Sequence, residues 1–208
     1  AMDRSRPDRV RKRILSATVR ANWTELRPAL AALSREAGFL RAHALDMLAR
    51  LDGKLSQELV ATLLTDADAR LRTIASRHAS SDENLAMAAS LVATDPAASV
   101  RSAAVIALVE YHGIEAFEEI RPAFSDTDAD VNVAVATAIG GLGPVVIESL
   151  LHLFEAGTFA EARTAALALA QIDPAGQAAL VRLADGADDE RKRRLASFAM
   201  GRFEAHSH

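Results

Sequence analysis

The sequence predicts an all-α fold, an α-solenoid of about six to seven stacked helix-turn-helix repeats. Three observations predict it. A short register built around a basic residue recurs every ~30 residues, the mark of a repeat array. Within each unit the apolar positions fall at helical spacing, as in Val100, Ala104, Ala107, Leu108 and Tyr111. No stretch shows the sustained alternation of β-branched and polar residues that a strand needs.

The first element of each unit is placed by its anchor. Val100-Arg101 is followed by Ala104 and Leu108, and "SVRSAAVIALVEYHG" shows the pattern best. The same register appears at Leu40-Arg41 with Ala44 and Leu48, and at Leu71-Arg72 with Ala75 and Ala79. It continues at Val131-Asn132 with Val135 and Ile139, Ala162-Arg163 with Ala166 and Ala170, and Lys192-Arg193 with Ala196 and Met200. The fifth unit fits equally well one residue earlier. The second element of each unit follows a turn, as in "SQELVATLLTD" (56–66), "ENLAMAASLVATD" (83–95) and "PVVIESLLHLFEAG" (144–157).

Alanine at the facing positions lets neighbouring helices approach closely and loses no side-chain entropy in a helix. Aromatics make up only 4% of the chain, so Ala, Leu, Val and Ile must build the core. Asp66, Asp95 and Asp126 lie six residues before Arg72, Arg101 and Asn132, and Asp188 five before Arg193. These acids are expected to cap the following helix or to reach an Arg of an adjacent repeat, forming a structural ladder.

This register resembles the HEAT repeats, specifically the short bacterial type whose first helix reads Val-Arg-x-x-Ala-x-x-Ala-Leu and which also occurs in phycobilisome (PBS) lyases. The resemblance spans residues 24–203. "DVNVAVATAIGGLG" and "RKRRLASFAMGRF" carry it further, as does "LRPAL" at 26–30 beside "IRPAF" at 120–124, whose Pro belongs in a second helix. It implies a right-handed superhelix and a single domain over 1–208. That domain would have a basic N-terminal cap helix at 1–22 and a frayed tail at 204–208.

Function classes narrow by elimination. With no Cys there are no disulfides or thiolate metal sites. No apolar run approaches the ~18 residues of a membrane span. The six His are spread over different repeats and the tail, with no adjacent His-Glu pair and no His-x-x-x-His pair on one helix face, so no metal or cofactor is expected. "GGLGP" (140–144) lacks the Lys-Ser/Thr of a phosphate loop and reads as a helix end and turn. No Gly-x-Ser-x-Gly elbow is present, and no catalytic residue is assigned. Residues 110–161 carry ten acids against one base, Arg121, the wrong sign for a phosphate backbone, so no nucleic acid is expected. Trp23, the only Trp, stands near the N-terminal edge, away from any position where it could frame an extruded base.

The expectation is therefore a non-catalytic protein-interaction scaffold, cytoplasmic, with a partner of basic surface. The partner-binding residues are expected on the second helices: Glu83, Met87, Glu118, Glu119, Glu148 and His152. The alternatives are a bilin-lyase-like enzyme or accessory protein, and the cytoplasmic domain of a membrane-anchored adaptor. The last rests on residues 4–20, with seven bases and one acid, including the patch Arg9, Arg11, Lys12 and Arg13. The start, Ala1-Met2-Asp3-Arg4, reads as an added scar ahead of an excised domain.

Overall fold

The computed structural model describes residues 27–36, 38, 40–186 and 189–204. The N-terminal basic segment with Arg9, Arg11, Lys12 and Arg13, Trp23, Asp188 and the tail histidines His206 and His208 lie outside them. By backbone packing the chain forms two compact units, Ala1–Asn84 and Leu85–His208.

Among the described residues there are helices and turns and no strands. The α-helices are α1 (Arg27–Arg35), α2 (Leu40–Asp52), α3 (Gln57–Leu64), α4 (Ala69–His78), α5 (Asp82–Thr94) and α6 (Ala98–His112). They continue as α7 (Phe117–Phe124), α8 (Ala129–Gly140), α9 (Ile147–Ala156), α10 (Phe159–Leu169), α11 (Ala175–Gly186) and α12 (Glu190–Glu204). Short 3-10 turns at Gly113–Ala116 and Gly143–Val146 lead into α7 and α9. The even-numbered helices α2, α4, α6, α8, α10 and α12 carry the sequence anchors, and the odd-numbered helices are the second helices.

In unit 1, α1 packs on α2, α2 on α4, and α3 on α4. Its polar hub is Gln57. The Asn84 amide, 2% exposed, donates to the Gln57 carbonyl at 2.9 Å and to its Oε1 at 3.0 Å. Ser80 and Ser81 donate backbone N–H groups to the same Oε1, and Gln57 Nε2 donates to the His78 carbonyl. Buried polar groups that satisfy one another in this way hold a turn in one geometry.

In unit 2 the first helices pack in succession, α6 on α8, α8 on α10 and α10 on α12. Alanine lines those contacts: Ala103, Ala104 and Ala107 in α6, Ala136 in α8, and Ala165, Ala166 and Ala168 in α10 are all buried. The second helices supply the larger side chains. Ile120, Leu150 and Leu180, thirty residues apart, are each 0% exposed, as are Phe124 and Phe154. Removing such a buried side chain costs about 2–5 kcal/mol.

Helix ends follow local chemistry. Asp68 and Asp128 cap α4 and α8 by accepting from Arg70 N and Asp130 N. Thr158 and Glu161 form a complete capping box on α10. Gly113 and Gly143, at φ 57° and 76°, occupy the left-handed region where the chain leaves the first helix. "GGLGP" is indeed the end of α8 and its turn. Pro28 and Pro122 both lie in second helices.

Candidate functional site

The geometry of the polar groups in the inter-repeat turns decides which side chains remain for a partner. Arg101 lies four residues past the α6 cap, Ala97. Its Nε and a terminal nitrogen donate to Asp126 Oδ2 and Oδ1 at 2.7 and 2.8 Å. The other terminal nitrogen donates to the Asp95 carbonyl at 2.8 Å. Asp126 also accepts from Asp128 N at 2.8 Å. The Arg101 hydrogen bond holds the Asp126 carboxyl below the usual carboxylate range, against burial that pushes it up. The same bond raises Arg101 further.

Arg41 makes the corresponding contact to Asp66 at 2.9 Å, and Arg72 donates to the Asp66 carbonyl at 2.8 Å. The ladder expected from sequence is therefore present, with one change. Asp66, Asp95 and Asp126 do not cap the next helix. Each accepts from the backbone N–H two residues on, closing a turn, and for α4 and α8 capping falls to Asp68 and Asp128.

The ladder changes chemistry at α8. Asn132 donates to the Asp126 and Asp128 carbonyls, both at 2.9 Å, and accepts from the buried Thr164 hydroxyl at 2.9 Å. Twenty-five residues past Asn132, where Arg101 finds Asp126, stands Gly157. Both members of the rung have changed together. Four residues past the Thr158 cap lies Ala162, so the fifth anchor is Ala162 and not Arg163, which is exposed. In the last helix Lys192 takes the place of Val100 and Val131. It sits 6.0 Å from the Phe154 ring centroid and donates to the Glu155 carbonyl at 2.7 Å.

A hollow of about 300 Å³ opens beside Arg101 and Asp126, between Val92, Pro122, Ser125 and Thr127. Of the three charged groups on its wall, Arg101 and Asp126 already bond to each other, and Asp95 accepts from Ala97 N.

The residues expected to meet a partner all fall on second helices. Glu83 and Met87 are on α5, Glu118 and Glu119 on α7, and Glu148 and His152 on α9. Met87 is half-buried and the others are exposed. Glu83 belongs to unit 1 and the other five to unit 2. Glu118 and Glu148 are the second residues of α7 and α9, thirty positions apart, so the repeat sets them at equivalent sites. Acids there also complement the helix dipole. Glu118 lies 3.8 Å from Arg121, which reaches Glu161 at 3.4 Å. Glu119 faces His112 Nδ1 at 3.4 Å, an ion pair when the imidazole is protonated. Backbone and hydroxyl bonds from Thr158, with help from Arg121, hold the Glu161 carboxyl low against burial.

Sequence reasoning missed the Gln57 hub and the Arg121–Glu161 tie. A Gln at a helix start and an Arg on an exposed face carry no signal of a long-range partner. Among the described residues no three His, Asp or Glu gather as metal ligands, and no single helix is long and apolar enough to cross a membrane.

No curated protein matches the chain. Residues 85–170 match the family model of HEAT repeats, the segment in which helix pairs, Ala-lined first-helix contacts and the Arg101–Asp126 rung coincide. By that match and by its repeated helix pairs, the segment 85–170 is an array of HEAT repeats.

Proposed function

We propose that this protein is a non-catalytic interaction scaffold whose second-helix face in unit 2 receives a basic surface of a protein partner. Repeats of this family generally mediate protein–protein contacts, and repeat arrays offer extended surfaces for them. The observation that carries the finer reading is a division between two sets of carboxylates. Those of the inter-repeat turns close turns and hold Arg101, while Glu118 and Glu148 stand exposed at equivalent sites. Complementary charge at such sites speeds encounter and fixes register.

The test is capture from native lysate, followed by mass spectrometry, with the wild type and a Glu118→Lys/Glu148→Lys variant. The reading expects a partner retained by the wild type and lost by the variant while the variant stays folded, with only the small loss that reversing two helix-dipole contacts brings. Equal capture by both would contradict it. Cytoplasmic placement, and proximity of the basic N-terminal segment to an anionic membrane, belong to the same proposal. Co-sedimentation with anionic but not neutral liposomes, abolished by reversing Arg11, Lys12 and Arg13 to Glu, tests the latter.

A further inference from the structure

The two edges of unit 2 differ in chemistry. At the inter-repeat edge the turns are rich in Asp, Ser and Thr, and their carboxylates are engaged by backbone N–H groups and by Arg101. At the opposite edge, where each first helix turns into its second, large apolar side chains stand in water. Tyr111 is 51% exposed, Ile114 39% and Val145 62%. Pro144 and Pro174 are exposed beside them. Ile114, Pro144 and Pro174 follow one another at 30-residue steps, the repeat length, so one apolar position is presented by each successive turn. Because α6, α8 and α10 pack side by side, the turns at their ends form a row.

The flanks of this row are acidic. Glu110, Glu115 and Asp173 are exposed and make no ion pair among the described residues. Over residues 105–180 the only Lys or Arg are Arg121 and Arg163, both on helices and neither in these turns. A solvated edge has no need of regularly placed apolar groups.

We infer that this edge of unit 2 is a docking strip for a basic amphipathic helix of a partner protein. The geometry selects a helix over a strand. Packed helix layers repeat every ~8–10 Å. Seven residues of an α-helix rise about 10.5 Å and return to the same face, so side chains at i, i+7 and i+14 meet successive turns. An extended strand covers that distance in about three residues, which alternate faces. Polyproline-type segments have a similar step, but their receptors are grooves lined with several aromatics, and this edge has one, Tyr111. The acidic flanks select Lys or Arg on the partner's sides.

The probe is a fluorescent peptide of about 18 residues with Leu at every third and fourth position and Lys between, a helix of roughly 27 Å. It is compared by anisotropy with a scramble of identical composition and with a Pro-rich Lys peptide of equal charge. The wild type should bind the amphipathic peptide about tenfold or more tighter than either control, as burial of a Leu side chain allows. A Tyr111→Ser/Ile114→Gln/Val145→Gln variant should lose that preference while keeping the wild-type helical spectrum and melting midpoint. The Glu118→Lys/Glu148→Lys variant should keep it, which separates this strip from the second-helix face. Equal binding of the scramble, tighter binding of the Pro-rich peptide, no binding at all, or an edge variant that binds like the wild type would each overturn the inference.

Discussion

Arg101 and Asp126, twenty-five residues apart, form a two-pronged contact at 2.7 and 2.8 Å, with side chains 14% and 8% exposed. A pair this sheltered ties two turns together and still needs its remaining hydrogen bonds met, which Asp95 and Asp128 do. Arg101→Ala should lower stability by about 1–3 kcal/mol in a denaturant titration. Arg101→Lys should recover only part of it, because an ammonium cannot reproduce the two-pronged fork. Equal stability of Arg101→Ala and the wild type would remove the ladder from the account.

Asn132→Arg would restore the repeat pattern in sequence, yet it should destabilise the protein by about 2 kcal/mol or more. The reason is the missing acid: Gly157 stands where the rung needs Asp. A Cβ at Gly157 would come 2.4 Å from the Leu153 carbonyl oxygen, so Gly157→Asp should not rescue the change. Thermal melts of the single and double variants decide this. A stabilised Asn132→Arg would show that the sequence register outweighs the local geometry.

That contrast marks what the sequence could carry. The anchors at Arg72, Arg101 and Asn132 were legible because each sits in a mixed apolar pattern that fits one helical frame. Around Arg163 nearly every neighbour is Ala, so two frames fit alike. The Thr158-x-x-Glu161 box held the information that fixes the frame at Ala162. The second helices that hold Glu118, Glu148 and His152 were legible for the same periodic reason. The pairing of Arg121 with Glu161 and of Asn84 with Gln57 was not, since those contacts depend on how separate helices meet.

Two glycines should respond in opposite senses to alanine. At Gly140 a Cβ would lie 2.6 Å from Gln171 Cβ and 2.9 Å from the Ala168 carbonyl oxygen, so α8 must shift against the turn after α10. Gly140→Ala should cost about 1–3 kcal/mol. Gly186, at the end of α11, has nothing within 4 Å, and Gly186→Ala should be neutral or stabilise by up to about 1 kcal/mol. Paired chemical denaturation curves read both, and a neutral Gly140→Ala would contradict the close approach.

His78 is half-buried at the end of α4, and burial lowers its pKa from the usual imidazole value, with Asp46 opposing and Arg77 assisting. Its folded form binds a proton less readily than its unfolded form. The stabilisation is thus full above the ordinary value of 6.5 and is lost as pH falls through it toward the lower folded value. Unfolding midpoints at pH 7.5 and 5.5 should differ less in His78→Gln than in the wild type. An unchanged difference would mean that His78 is solvated.

The central claim is that the turn charges hold the array together while the second-helix charges meet a partner. Its most direct measurement is one paired experiment: denaturation midpoint and partner capture on Arg101→Ala and on Glu118→Lys/Glu148→Lys. The account predicts a lowered midpoint with capture kept by the folded fraction for Arg101→Ala, and for the Glu variant capture lost with the midpoint lowered by no more than two reversed helix-dipole contacts. Lost capture at full stability in Arg101→Ala, or full capture by the Glu variant, would contradict it.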